Sequence, residues 1–114
     1  MKTENHEVII AIVNGGFADV VMDVAKEHGA RGGTIINARG VAREEAAAFF
    51  GITLHAEKEL LMIVVEKSIR DAVLNGIYKA MGMSKKSTGI VFSLPVSDVA
   101  GLAKPIAQEI KTDE

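Results

Sequence analysis

The sequence predicts a single α+β domain whose strands and helices follow the order βαββαβ. Three observations predict it. The chain has 114 residues, a length that suits one domain. Apolar runs of strand length alternate with segments of helical periodicity, and glycines stand at their boundaries. Hydrophobic residues make up 48% and charged residues 25%, a balance typical of a globular protein and not of a disordered one.

The first half of the chain predicts a strand, a helix and a second strand. Residues 8–13 form a continuous apolar run rich in β-branched side chains, which predicts a buried strand, and Asn14-Gly15-Gly16 predicts a turn. Asp19 suits the first turn of the helix that follows, Gly29 suits a left-handed cap at its end, and residues 34–39 form the second strand. The predicted apolar face of this helix has members at i, i+3, i+4, i+7 and i+8: Phe17, Val20, Val21, Val24 and Ala25.

The second half predicts a long connection, two strands and a helix. Residues 40–58 form the connection, with an alanine-rich centre at 42–50, and residues 60–65 form a third strand. Ser68 is predicted to N-cap a helix that Gly82 ends, and a polar loop then leads to a fourth strand at residues 89–95. The order predicts a ferredoxin-like fold, a four-stranded antiparallel sheet with two helices on one face. The predicted inner face of the second helix is Ile69, Ala72, Val73, Ile77, Ala80 and Met81.

The first and third strands are apolar on both faces. Two helices cover one face of such a sheet, so the other face should alternate to polar residues if it meets water. Instead, large aliphatic residues occupy both faces, and one set remains uncovered in a monomer. We therefore expect a homo-oligomer; the alternative is that the tail or the long connection covers the sheet within one chain. The opposed sets are Ile9, Ala11 and Val13 against Val8, Ile10 and Ile12, and Leu61, Ile63 and Val65 against Leu60, Met62 and Val64.

Composition and charge exclude several classes of partner. The net charge of −2, the pI of 5.9 and an aromatic content of 4% argue against a nucleic-acid-binding surface. Cysteine is absent, and His6, His28 and His55 lack metal-ligand spacing, so no metal is expected. The acidic N-terminus leads into a short apolar run, which suits neither a signal peptide nor a membrane span. We expect a cytoplasmic protein with no direct membrane insertion.

Catalytic patterns are weak, whereas two glycine-bearing segments suggest anion binding. Glu44 and Glu45 suit a solvated helix face, and no serine has the setting of a nucleophile. Asn37-Ala38-Arg39-Gly40 ends a strand, and Lys85-Lys86-Ser87-Thr88-Gly89 precedes another. The second segment offers two ammonium groups, two hydroxyls and a permissive backbone, although it lacks the order of a Walker motif. The alternative is an exposed lysine pair that faces water.

Across about residues 7–95, the chain resembles the PII signal-transduction family. The resemblance depends on the element order, on Gly29-Ala30-Arg31-Gly32-Gly33-Thr34-Ile35-Ile36-Asn37-Ala38-Arg39-Gly40, and on Glu59-Leu60-Leu61-Met62-Ile63-Val64-Val65 before the second helix. Phe49-Phe50-Gly51-Ile52 resembles a divergent, PII-like subgroup rather than the nitrogen-regulatory members. The resemblance implies one PII-like domain over residues 1–114, with a core at about 7–95, a T-loop-like segment at about 40–58 and a C-terminal tail at 96–114.

The resemblance implies a homotrimer that binds an adenine nucleotide, either ATP, ADP or AMP or a cyclic dinucleotide, in clefts between subunits. A small anion such as bicarbonate is an alternative ligand. Gly89 stands where family members carry a phosphate-binding lysine, residues 97–101 lack arginine, and the long connection has no tyrosine for uridylylation. The implied base-pocket residues are Ile12, Thr34, Met62 and Val64; those implied near the phosphates are Asn37, Ala38, Arg39, Gly40, Lys85, Lys86, Ser87, Thr88 and Gly89.

The leading functional hypothesis is a non-enzymatic regulator. A nucleotide would order or release residues 40–58, which would then dock on a partner through Phe49 and Phe50. The resemblance implies a membrane transporter or a metabolic enzyme as that partner. Two alternatives are a slow nucleotide-hydrolysing enzyme on the same fold and a metal-linked trimer resembling the divalent-cation-tolerance proteins.

Overall fold

The described part of the chain forms a four-stranded antiparallel sheet with two helices, as the sequence predicts. A computed structural model describes residues 2–41, 57–82 and 89–102. The sheet order is β2-β3-β1-β4 with all neighbours antiparallel, which confirms the ferredoxin-like prediction. The alanine-rich centre of the long connection, the polar loop at 83–88 and the end of the tail lie outside the described residues. The elements are β1 (His6–Asn14), α1 (Ala18–Glu27), β2 (Thr34–Arg39), β3 (Glu57–Glu66), α2 (Lys67–Gly82) and β4 (Gly89–Pro95).

The core lies between the helices and one face of the central strands. Ile9 is paired with Ile63 and Ala11 with Leu61 across β1 and β3, and all four are fully buried. Val73 and Ile77 of α2 are also fully buried in this cluster. The alternation of buried and less buried positions along β1 follows the two-residue period of a strand.

The buried face of α1 is rotated relative to the predicted one. Val21 and Ala25 are buried as predicted, but Phe17 and Val20 are exposed, so their assignment to the inner face is wrong. Met22 takes their place because it faces the entrance to β2: its Sδ would lie 3.0 Å from a Cβ at Gly33. The apolar arc of this helix is wider than the arc that the sheet can cover. Gly29 has φ +107° and the helix ends just before it, as predicted.

The start and the inner face of α2 need correction as well. The helix begins at Lys67, whose backbone N–H donates to the carbonyl of Asn5 at 2.6 Å, so Ser68 lies inside the first turn and the predicted N-cap is wrong. Ala72 is exposed rather than buried. Gly76 is buried instead, because the imidazole of His28 lies against it at the contact between the two helices.

The second face of the sheet is apolar and largely uncovered, which confirms the sequence-based expectation. On this face, Ile10 of β1 lies between Met62 of β3 and Phe92 of β4. Met62 is 39% exposed and Phe92 is 37% exposed. The same face, here called the open face, also carries Val8, Ile12, Ile36, Leu60, Val64, Ile90 and Leu94.

Candidate functional site

A cleft forms where β3 extends beyond the end of β2, its partner at the edge of the sheet. The ladder between β2 and β3 ends at Thr34 opposite Met62, whereas β3 continues to Glu66. Backbone groups at such a ladder end need partners from water, a ligand or another chain. The cleft has a volume of about 770 Å³ and is lined by Lys2, Thr3, His6, Gly29, Ala30, Arg31, Gly32, Gly33, Thr34, Met62, Val64, Val65, Glu66, Ile69, Val99 and Leu102.

The N-terminal segment forms one wall of this cleft and is fixed by the main chain. Lys2 makes an antiparallel bridge to Asp98, and the Thr3 N–H donates to the carbonyl of Ser97 at 2.9 Å. The Thr3 hydroxyl lies 2.7 Å from Nδ1 of His6 and accepts the N–H of Asn5 at 3.1 Å. The segment is therefore positioned by contacts with both the C-terminal segment and itself.

The opposite wall contains Gly33, at a point of close contact with β3. A Cβ at Gly33 would lie 3.0 Å from each of three atoms: the carbonyl oxygen of Met62, Cγ1 of Ile63 and Sδ of Met22. A side chain here would make tighter contacts than usual, so the neighbouring atoms would have to move by a few tenths of an ångström. Gly33 therefore allows the chain to approach β3 closely before β2 begins.

The structure brings three of the implied base-pocket residues together. Thr34, Met62 and Val64 all line the cleft. Ile12 is on the same sheet face but farther along, between Leu60 and Ile90.

The residues implied near the phosphates begin at the other end of β2. Asn37, Ala38 and Arg39 are exposed there, and Arg39 is opposite Glu57 in register. Arg39 is five residue steps along β2 from Thr34, a span of about 17 Å. Gly40 packs against Lys58, and Gly89 begins β4 beside Ile12. Lys85, Lys86, Ser87 and Thr88, together with Phe49 and Phe50, lie outside the described residues.

Sequence reasoning missed the polar wall made by Thr3 and His6. The sequence pattern points to His6 only as a candidate metal ligand and does not distinguish Thr3. The available signal was position: His6 begins β1, and residues at the ends of central strands lie at the rim of a sheet.

The C-terminal end of the long connection is bonded to the β1–α1 turn. The Gly15 N–H donates to the carbonyl of Glu57 at 3.1 Å, and Lys58 Nζ donates to Oδ1 of Asn14 at 2.5 Å. Oε1 of Glu59 accepts the N–H groups of Gly16 and Ala18. Three consecutive residues thus anchor the connection to the start of α1.

A metal-ligand cluster and a membrane-spanning helix are both absent from the parts of the chain that the structure describes. No group of three or more His, Cys, Asp or Glu side chains there is arranged to hold a metal ion. No helix among those residues is long and apolar enough to cross a membrane.

The fold and the site define a ferredoxin-like domain with an uncovered sheet face, a cleft at its edge strand and a long connection between β2 and β3. The family model described as nitrogen regulatory protein P-II matches residues 6–104, and the chain belongs to this family. It is therefore a PII-like regulatory protein, and proteins of this family are generally signal proteins rather than enzymes.

Solved structures agree with this assignment. The PII protein of Arabidopsis thaliana, in a crystal structure bound to citrate, is 28% identical with a TM-score of 0.65; the match covers 86% of this chain and 83% of that one. A DUF3240 family protein from Shewanella baltica OS155 has a TM-score of 0.65 at 15% identity, over 89% of this chain and 100% of that one, which shows a shared fold. Comparison with curated proteins gave no match.

Proposed function

We propose that this PII-like protein is a homotrimer that binds an adenine nucleotide between subunits and controls a protein partner through residues 40–58. The observation that carries the proposal is the cleft at the end of the β2–β3 ladder, which brings Thr34, Met62 and Val64 to one place. The bound nucleotide would be ATP, ADP, AMP or a cyclic dinucleotide.

The open face supports assembly. Its exposed members include Met62 and Val64 of β3 and Phe92 and Leu94 of β4, the two strands that flank β1. Burying a large apolar side chain contributes about 1.5–3 kcal/mol, so covering this face favours association strongly. In a trimer the three sheets would face a common centre, and each open face would be covered by its neighbours.

The cleft suits the base of a nucleotide. Met62 and Val64 offer an apolar surface, and the glycine-rich segment offers backbone groups on the other side. Ligand pockets commonly combine an apolar lining with a few such polar groups. The phosphates would then follow β2 toward Arg39.

The sheet order explains why the site would need a neighbouring subunit. β2 and β4 are the two edge strands, so Arg39 at the end of β2 is separated from the start of β4 by the two central strands. Lys85 and Lys86 precede β4 in sequence. We therefore expect these cations to be far apart within one subunit, and trimer assembly would bring the Arg39 of one chain near the lysines of another.

Calorimetric titration with ATP, ADP, AMP and a cyclic dinucleotide tests the proposal. A combined Lys85→Ala and Lys86→Ala change should weaken a phosphate-bearing ligand at least about tenfold, since charge-assisted contacts contribute about 1.5–3 kcal/mol each. A matched change of two exposed helix lysines, Lys26→Ala and Lys79→Ala, should leave binding unchanged. Absence of binding by the wild-type protein rules out the nucleotide site, and equal binding by both double variants places the phosphates elsewhere.

The partner would be a membrane transporter or a metabolic enzyme, engaged in the cytoplasm. Phe49 and Phe50 are the proposed anchors, because adjacent aromatic residues dominate many interfaces. Hydrogen exchange in the free protein should be fast across residues 41–57, since an isolated helix of this length is marginal. Strong protection in the absence of ligand and partner would assign these residues to the trimer itself and remove the two phenylalanines as docking residues.

A further inference from the structure

We infer that His6 is a specificity-determining residue that contacts the base of the bound nucleotide, with Thr3 as its positioning residue. This inference depends on the proposed nucleotide site and adds to it a residue from the N-terminal segment. The observation that carries it is the arrangement of the cleft. His6 and Thr3 line it together with Glu66, and the segment that leads into Thr34 lines it as well.

The direction of the nucleotide in the cleft follows from the two ends of the sheet. Arg39 is about 17 Å along β2 from Thr34. His6 is in the opposite direction: it pairs with Glu66, four residues beyond Met62 on β3, and Met62 is the partner of Thr34. A nucleotide whose phosphates lie toward Arg39 therefore directs its base toward His6.

The charge at this end of the cleft favours a base over a phosphate. Glu66 lines the cleft beside His6, and its carboxylate would repel a phosphate group. A carboxylate and an imidazole together can accept and donate hydrogen bonds, which matches the mixed donors and acceptors on the edge of a purine.

The His6 ring is held in a fixed orientation. Thr3 Oγ1 engages Nδ1 at 2.7 Å, which leaves Nε2 as the ring nitrogen that can contact a ligand. Thr3 is itself fixed, because its backbone N–H donates to Ser97 and its hydroxyl accepts the N–H of Asn5. The backbone next to His6 is also held, because the Asn5 carbonyl accepts the N–H of Lys67 at the start of α2. A side chain that is already positioned increases the affinity for a ligand, because little conformational entropy is lost on binding.

Calorimetric titrations with ATP and with GTP test the inference on wild type, His6→Ala, His6→Asn and Thr3→Val. Loss of one hydrogen bond predicts that His6→Ala weakens ATP about five- to tenfold. The ratio of ATP to GTP affinity should fall at least about threefold, and Thr3→Val should give a smaller change in the same direction. His28→Asn, at an exposed histidine on α1's C-terminal side and outside the cleft, is the matched control and should leave both affinities unchanged.

The outcomes separate the inference from the proposed function. If the wild-type protein binds ATP and both His6 variants bind it equally well, the role of His6 is overturned while the nucleotide site stands. Equal weakening of ATP and GTP in His6→Ala, with His6→Asn behaving the same way, shows a purely structural role and also overturns the inference. If the wild-type protein binds neither nucleotide, the proposed function fails and the role of His6 fails with it.

Discussion

Oε1 of Glu59 accepts the backbone N–H of Gly16 at 2.7 Å, although 43 residues separate them. The same oxygen accepts the Ala18 N–H at 3.2 Å. The N-cap position of α1 is Phe17, which makes no side-chain capping hydrogen bond. A carboxylate on β3 therefore accepts the first N–H of the helix and an N–H of the turn just before it, where the N-cap side chain makes no such bond. Its negative charge suits the positive end of the helix dipole.

Removing this distant cap should destabilise the fold. Glu59→Ala is expected to lower the free energy of unfolding by about 1–2 kcal/mol, in the range of a lost N-cap. Glu59→Gln keeps an acceptor and should cost less, because only the charge is lost. Denaturant unfolding at one fixed protein concentration measures both. Glu66→Ala, on the same strand and exposed, should change stability by no more than about 0.5 kcal/mol; equal losses in Glu59→Ala and Glu66→Ala would contradict the capping role.

The open face should decide the oligomeric state. Met62→Glu places a charge at the centre of this face, so the variant should be a monomer or fail to fold, as sedimentation velocity and circular dichroism will show. Val20→Glu is the matched control, because Val20 is also exposed at 54% but lies on a helix. It should sediment as the wild-type protein does. A wild-type protein that is a stable monomer at micromolar concentration, or a Met62→Glu variant that remains a trimer, would argue against the proposed assembly.

Substitution by alanine should affect stability differently at Gly89 and at Gly76. At Gly89 a Cβ would overlap the carbonyl oxygen of Ile12, a backbone atom that cannot move without disturbing β1. Gly89→Ala should therefore cost about 3 kcal/mol or prevent folding. At Gly76 the nearest atom is Cδ2 of His28, the far end of an exposed side chain.

The imidazole at Gly76 can swing away, and alanine favours a helix over glycine by about 1 kcal/mol. Gly76→Ala should therefore change stability by less than about 1 kcal/mol. Thermal unfolding of the two variants side by side makes the comparison. A larger loss of stability for Gly76→Ala than for Gly89→Ala would contradict this prediction.

The buried carboxylate of Glu7 forms an ion pair with Arg70. Glu7 is 8% exposed, and its Oε1 accepts from Nη1 of Arg70 at 2.9 Å. The same Nη1 donates to Oγ of Ser93 at 3.2 Å, so one guanidinium nitrogen joins α2, β1 and β4. On its outer side, Arg70 Nε lies 2.6 Å from Asp71 Oδ1, an ion-pair distance without hydrogen-bond geometry.

Removing the arginine alone should be costly. Arg70→Met leaves the Glu7 carboxylate buried without its partner and should cost about 3 kcal/mol. The double change Glu7→Gln and Arg70→Met should recover part of that loss, because no charge then remains buried. Chemical denaturation of the two single variants and the double variant gives the coupling energy. Additive losses would show that the pair does not act as a unit.

The sequence by itself determined the elements and the character of the sheet. Continuous apolar runs gave β1 and β3, and the opposed aliphatic sets of these strands predicted an uncovered face that the structure contains. These features depend on local periodicity, which one strand carries alone. Only the family resemblance groups Thr34, Met62 and Val64 in one site, because these residues belong to two strands.

Only the tertiary structure decided features that arise between segments distant in sequence. The register that begins β2 opposite Met62 opens the cleft, and the bridge from Lys2 to Asp98 holds the segment that contains Thr3 beside His6. Glu59 caps α1, and Asn5 rather than Ser68 satisfies the first N–H of α2. Met22 replaces Val20 in the core because the sheet covers only part of the helix's apolar arc. Each of these depends on where two segments meet in space, which periodicity along one segment does not encode.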